Sequence, residues 1–415
     1  MKNILFFLLF FAFHSNAQKS FAEAISQGDQ AVRKGDYQLA INKYFAAEDF
    51  DFSKKEIVRK KINTVFFKME NRIVQTDAAL EKLDELRKET QTELLRANKI
   101  ANTFPSYEGW FPLKRENAQS FYLDKNGGEI KKLGRWERAA YFDGRGFARV
   151  EKRVDGELQK YLLDLEGNTF RVAYKVEDLN PKITALDLSK QKLIEIPKAV
   201  FRQKQLKVLL LNDNKIGYIP NKLWDLQELS VLDLSGTALT KLPSKIANLQ
   251  NLSNLNLSRT RLARLPEGLW RLKKLTKLDL SFLMLKTLPA EIETLQNLVQ
   301  LNLTLNQLET LPTELWTLKN LSHLNLSKNK LTKISPEIKH LQNLKVLALF
   351  ENELTTLPPE IGDLKKLDKL HVGWNYLENF PERICNLKNL SHLNLSKNKL
   401  TKISPEIKHL QNLKV

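Results

Sequence analysis

The sequence predicts an α/β repeat solenoid preceded by a small α-helical module and a small β module. Three observations carry that prediction. One pattern returns every 23 residues, ten times, opened by Ile183, Leu206, Leu229, Leu252, Leu275, Leu298, Leu321, Leu344, Leu367 and Leu390. Inside each unit, apolar residues alternate at period two and then recur around a proline. Ahead of Ile183 the texture is first helical and then strand-and-turn. A fixed period of this length signals stacked units that bury a shared core, because one unit cannot bury enough apolar surface alone.

In chain order, residues 1–17 read as a secretory signal peptide. Lys2 is followed by an unbroken apolar run from Ile4 to Phe13, and Ser15-Asn16-Ala17 offers small residues for cleavage before Gln18. The run is too short to span a bilayer, and no later stretch reaches spanning length. An exported product, periplasmic, at the cell surface or secreted, is therefore expected; the alternative is a buried N-terminal helix of an intracellular scaffold.

Residues 18–103 are expected to be helical. Gly28, Ala31, Gly35-Asp36-Tyr37, Ala40-Ile41, Tyr44 and Ala47 place small residues where two helices would approach closely. This run resembles one tetratricopeptide-like hairpin without its usual closing proline. Ser53-Lys54-Lys55-Glu56 has the form of a capping box that opens a further helix, and Pro105 stops the helical texture. The cluster Lys54, Lys55, Arg59, Lys60 and Lys61 reads as a solvated face.

Residues 104–182 are expected to form a small β module. Phe121 to Glu129 is strand, turn, strand. Phe142-Asp143-Gly144-Arg145-Gly146-Phe147-Ala148-Arg149-Val150 follows, and Tyr161 to Asn168 repeats the first phrase. These phrases are similar to bacterial WG-type β repeats, although the Trp-Gly pair is missing. The last strand of this module would cover the open edge of the first solenoid unit, which otherwise invites pairing with other chains.

The unit that opens at Leu298 shows how residues 183–415 are built. Leu301 and Leu303 lie on one face of a short strand, with Gln300 and Asn302 on the other. Asn306 falls where the chain turns, and its amide can bond backbone groups left open by the bend. Leu308, Leu311, Leu315 and Leu318 complete the inward set around Pro312. The fourth position is leucine in all ten units.

The pattern resembles the leucine-rich repeat family in its 23-residue Leu-Pro form, over Ile183 to Val415. The resemblance implies a curved arc with parallel strands on its concave face, where ligands of such proteins usually bind. There are departures. Leu283 replaces the turn asparagine, which predicts a looser or hydrated turn there. Proline moves one place on, to Pro336 and Pro405, in the seventh and tenth units. Trp224, Trp270 and Trp316 mark alternate units on the outer flank, where covering neighbours is the expected role. Leu318–Val346 and Leu387–Val415 are identical over 29 residues, as a tandem duplication would leave them. The chain then stops without a polar cap, which predicts an exposed apolar end at Leu410 and Leu413, either from truncation or as an end that frays or docks.

No catalytic constellation emerges, so no enzyme, cofactor or metal site is expected. Asp143-Gly144-Arg145-Gly146 lacks the lysine and frame of a phosphate loop. Asp187, Asp233 and Asp279 share one strand position two units apart, too far for joint proton transfer. His323, His371 and His392 are read as exposed histidines, and Cys385 as an inert buried thiol.

The outward strand positions carry Val208, Leu210, Val231, Phe282, Leu305, Val346, Phe350 and Trp374 among Lys190, Arg259, Lys277, Lys328, Lys369 and Lys397. Aromatics set among charges suit a protein-binding face; the alternative is that some of these side chains pack on each other along the ladder. The candidate partner-binding residues are Phe282, Phe350, Trp374, Lys277, Lys328 and Lys369. The net charge of +18 admits an anionic envelope polymer as a second partner class. Nucleic acid is disfavoured by the export signal and the scattered lysines. The expected function is an exported, non-enzymatic scaffold that binds a protein; the alternative is a carbohydrate- or envelope-polymer-binding protein.

Overall fold

The computed structural model describes residues 21–34, 39–40, 43–44, 47, 57–58, 60–62, 64–65, 111–114, 119–123, 129–143 and 145–413. The expected signal peptide, the capping box at Ser53 and most of the basic cluster lie outside them. The chain divides into two units, Met1–Ala101 and Asn102–Val415.

In the first unit, helix α1 (Phe21–Lys34) has Glu23 in its first turn and Arg33 and Lys34 in its last, the charge order a helix dipole favours. Its small residues Ala24 and Ala31 pack with Ala40, Tyr44, Ala47, Val58, Ile62 and Val65. Gly28 lies under the Tyr44 ring, where an added Cβ would stand 2.3 Å from Cε1. The Tyr44 hydroxyl donates to Asp29 at 2.6 Å, and Lys61 donates to the same carboxylate at 2.6 and 2.7 Å. Lys61 is thus an internal partner, a correction to its reading as part of a solvated face.

The second unit opens with a three-stranded sheet of β1 (Phe111–Lys114), β2 (Ser120–Leu123) and β3 (Arg135–Trp136). Then come β4 (Arg138–Ala139), the long hairpin β5 (Phe147–Val154) and β6 (Glu157–Asp164), and β7 (Thr169–Ala173). Two turns of this module share one construction. The Asp143 carboxylate accepts from the N–H groups of Arg145 and Phe147, and the Asp164 carboxylate accepts from those of Glu166 and Asn168. Gly146 and Gly167 follow with φ of +84° and +95°, conformations that only glycine adopts cheaply.

The ten repeats then supply one three-residue strand each, from β8 (Ala185–Asp187) to β17 (His392–Asn394). All pair parallel and in register, so that Leu186 faces Leu209 and Leu370 faces Leu393. The leucines at the inward positions form one continuous core along the stack. Each unit returns through a five-residue 3-10 turn introduced by proline, such as Thr313–Thr317 after Pro312. Where proline moves on to Pro336 and Pro405, Ser335 and Ser404 occupy the cap and accept from the N–H groups of Glu337 and Glu406. Trp224, Trp270 and Trp316 are buried on these turns.

Strand β7 pairs parallel with β8, Val172 against Ala185 and Ala173 against Leu186, and so covers the edge of the first repeat. The sheet runs on unbroken through fourteen strands, from β4 to β17.

Two expectations are corrected. The turn at Leu283 is not loose: the Asn306 side-chain oxygen accepts from the N–H groups of Leu283 and Leu285 at 3.1 and 3.0 Å. Each turn asparagine serves the preceding unit as well as its own, so a leucine does not free its own turn. The apolar end is not at Leu410, which is 4 % exposed. Leu413 is partly buried too, while Ile403 is 54 % exposed and Leu393, Leu395 and Leu400 are only partly covered.

Candidate functional site

The strongest determinant of the site is the curl of the long sheet. Phe147, Leu162 and Val172, from β5, β6 and β7, pack face to face with Ala185, Val208 and Leu210 of the first two repeats, with Phe170, Tyr174 and Val231 at the margin. The β module therefore folds over the concave side of its own solenoid. Val208 and Leu210 are fully buried there. This corrects their reading as open concave surface: apolar side chains on adjacent strands are better covered by the chain's own sheet than by water.

Polar contacts fix the closure. Arg145 donates to Asn212 of the second repeat at 2.7 Å, is held by Asp143, and lies 3.8 Å from Asp187. Arg149 pairs with Asp187 at 2.9 Å and rests over the Tyr174 ring at 5.1 Å. Burial alone would raise the Asp187 carboxyl, but the Ser189 hydroxyl and the two guanidinium groups outweigh it and hold the carboxyl below the usual range. Further along, Glu166 in the β6–β7 turn pairs with Lys277 of the fifth repeat at 3.1 Å.

The other aspartates of that strand position lie on the same side without a direct cation. Asp233 is fully buried; burial pushes its carboxyl up to about 6, against the bonds it accepts from Ser235 and the attraction of Arg145. One of its oxygens has no hydrogen-bond partner. Asp279 is raised by burial as well, and it accepts from Ser281 and Asn302.

Among the described residues the β module makes no ion pair beyond the fifth repeat, and the aromatic side chains of the concave side offer a different surface. Trp374 is 52 % exposed and Phe282 is 42 % exposed. Phe350 is half-buried, its ring centroid 6.3 Å from that of Trp374. Lys397 reaches over the Trp374 ring at 6.0 Å, Lys399 over Tyr376 at 5.1 Å, and Arg259 over Phe282 at 5.3 Å. Lys328 pairs with Glu351 at 3.3 Å. Lys369 is half-buried, in register between Val346 and His392.

Two residues assigned to that surface are buried. Val346, between His323 and Lys369 in register, is 3 % exposed. His371 is not an exposed histidine: it is buried, and burial, with His392 and Lys369 beside it, pushes its imidazole down to about 4. Its Nδ1 lacks a hydrogen-bond partner. Among the described residues, no group of three or more His, Cys, Asp or Glu is placed to hold a metal. Cys385 is buried, and burial raises its thiol.

The sequence did not announce a second property. The eighth position of every unit is left-handed, with φ between +55° and +63°: Lys190, Asp213, Gly236, Arg259, Phe282, Leu305, Lys328, Glu351, Trp374 and Lys397. The ladder demands it, because the N–H group there bonds the next unit, as Phe282 does to Thr304 at 3.0 Å and Trp374 to Ser396 at 2.8 Å. Such a conformation costs a side-chain-bearing residue about 1–2 kcal/mol. Gly236 escapes that cost; Phe282, Leu305 and Trp374 carry it with bulky side chains.

Of the six predicted site residues, Phe350, Trp374 and Lys369 lie on neighbouring units, with Lys328 one unit further back. Phe282 stands apart, and Lys277 is committed to Glu166. Arg145, Asp143 and Glu166, which hold the closure, were not foreseen as functional. Their signal was the repeated Asp-x-x-Gly turn, which says that a tight turn forms but not where it points.

A stack of in-register parallel strands on a leucine core, turned by an asparagine ladder, defines a leucine-rich repeat solenoid. A family model described as a leucine-rich repeat region matches residues 183–310 and 311–415, and the chain belongs to that family. Among solved structures, a leucine-rich repeat protein of Leptospira interrogans is similar at 36 % identity and a TM-score of 0.54, over 56 % of this chain and 59 % of that one. A TDR receptor is similar at 26 % identity and a TM-score of 0.50, over 57 % of this chain and 47 % of that one. The match thus spans less than two thirds of either structure's own length. No curated protein matches the chain. Proteins of this family are commonly interaction scaffolds. Among the described residues, no helix is long and apolar enough to cross a membrane.

Proposed function

We propose that this chain is an exported, non-enzymatic scaffold that docks a protein on the C-terminal half of its concave face. The observation that carries the reading is the Phe350–Trp374 pair. Trp374 is half exposed on a backbone conformation that disfavours bulky side chains. At a position whose left-handed backbone every unit shares, Trp374 keeps half its surface exposed beside Phe350 and Lys397. Large aromatics that lose water on contact dominate protein interfaces. Lys328 and Lys369 complete the contact set; Phe282, in the fifth repeat, stands outside it, and Lys277 belongs to the closure of the β module.

Export rests on the Lys2-to-Ala17 segment and is tested by N-terminal sequencing of the mature product, which should begin near Gln18. Docking is tested by binding of the copurifying partner to the full chain and to Trp374→Ala. Unchanged affinity in a folded variant removes the assignment. An anionic envelope polymer is the competing partner class. Binding to isolated polymer that matches the protein partner in affinity would favour it.

A further inference from the structure

The fifth repeat turns on a different plan from its neighbours. Its ninth position is the buried Leu283 rather than asparagine, and the residues on both sides of it are left-handed, Phe282 at φ +61° and Met284 at φ +57°. The first repeat, with Gln191 in that place, turns the same way, but there the two residues are Lys190 and Lys192. In the fifth repeat both are apolar and both stand out from the fold, Phe282 42 % exposed and Met284 74 % exposed. Leu305, at the position of Phe282 in the next repeat, is half-buried. The turn is an apolar tip, not a pocket.

Basic residues stand on both sides of this tip. Arg259 and Arg261 hold the same two positions in the fourth repeat, and Lys330 holds the tenth position in the seventh. Arg264 and Lys286 follow a few residues further along their turns. All five are exposed. Arg259 rests over the Phe282 ring at 5.3 Å, and the other four make no ion pair among the described residues. Lys328, paired with Glu351 at 3.3 Å, belongs to the neighbouring surface. From the eighth to the thirteenth position of repeats three to seven, Glu309 is the one carboxylate. We propose that this flank of repeats four to seven, the side of the asparagine turns, rests on an anionic lipid surface. Phe282 and Met284 enter the boundary between headgroups and acyl chains, and the cations around them meet lipid phosphate. Exposed apolar side chains ringed by Lys and Arg are the composition of surfaces that lie on membranes. Three repeats separate Arg261 from Lys330, roughly 14 Å along the stack at about 4.8 Å each, so tip and cations share one lipid patch. A protein partner would need a pocket to receive a protruding tip, whereas a lipid layer deforms around it, and the flexible Met side chain adapts to it. This surface lies apart from Trp374 and does not depend on the docking reading above.

The test is co-sedimentation of the chain, purified from its native host, with vesicles of phosphatidylcholine alone and of phosphatidylcholine mixed with phosphatidylglycerol. The inference expects binding to the mixed vesicles that weakens as salt screens the exposed charges, and little binding to the neutral ones. Phe282→Asn with Met284→Asn should lower the apparent affinity at least about tenfold by removing the inserted apolar contact. Asparagine takes the left-handed backbone more readily than Phe or Met, so this variant should keep its fold, which circular dichroism checks. Arg261→Glu with Lys286→Glu, both at exposed positions, should lower the affinity by a similar factor. Equal binding to the two vesicles overturns the anionic class. Affinity unmoved by both pairs of exchanges overturns the site. Absence of binding to either vesicle overturns the lipid surface, and an acidic protein held by these same residues would then be the occupant.

Discussion

Glu166 and Lys277 meet at 3.1 Å across 111 residues of sequence, joining the β module to the fifth leucine-rich repeat. The pair marks a point on the concave face that the described part of the β module reaches. Its groups are 57 % and 28 % exposed, so the pair itself contributes little to stability, less than about 1 kcal/mol. The closure is held instead by Val208 and Leu210 under β5 and β6, and by Arg145.

Arg145→Ala should therefore loosen the closure much more than Glu166→Gln. The exchange removes the bond to Asn212 and leaves the buried Asp187 with Arg149 as its remaining cation. Losing such a part-buried charged hydrogen bond costs about 1.5–3 kcal/mol. Hydrogen exchange should accelerate in β5 and β6 and in the strands of the first two repeats, while repeats seven to ten keep their protection. Uniform protection in both variants would mean that the module is held by apolar contact alone.

Asp233→Asn should stabilise the protein in a pH-dependent way. The folded carboxyl titrates at about 6, above an unfolded value near 3.9, so the fold binds the extra proton between these values. This residue's relative contribution is thus full below about pH 4 and is lost as pH rises through 6. Asparagine keeps an oxygen for Ser235 and removes the ionisation, so the variant should gain up to about 3 kcal/mol at pH 7.5 and nothing at pH 4. His371 runs the other way: its imidazole titrates at about 4, so stability falls as pH drops from 6.5 towards 4. Urea titrations of Asp233→Asn at pH 4, 5.5 and 7.5 separate the two groups. An equal gain at every pH would contradict the assignment.

Asn329→Ala should cost about 2–4 kcal/mol, because one buried amide serves two units. Its nitrogen donates to Leu303 and Leu326 at 3.0 and 2.9 Å, and its oxygen accepts from Leu308 at 3.0 Å. Local hydrogen exchange should rise around Leu308 in the preceding turn as well as in the turn of Asn329. A change confined to the unit of Asn329 would show that the shared bonds carry no weight.

The repeat arc was legible in the sequence because its physics is local and periodic. Leucines at fixed spacing name the core, and Leu-Pro names the return. The covering of the first edge was legible for a similar reason, since an open parallel edge must be dealt with. The coverage of Val208 and Leu210 was not, because it depends on the accumulated curl of the sheet, which no pair of neighbouring residues encodes. The burial of His371 and Val346 was hidden because their strand positions look outward in every unit. The left-handed eighth position was hidden because Phe282, Leu305 and Trp374 are not residue types that announce it, and Gly236 alone hinted at it.

The most direct test of the central claim, that the C-terminal half of the arc is the docking platform, is the affinity of the full chain for its partner with and without Trp374. Trp374→Ala removes a half-exposed side chain from a strained position, so the melting temperature should hold while affinity falls at least tenfold, about 1.4 kcal/mol. An unaltered dissociation constant in the folded variant would contradict the account.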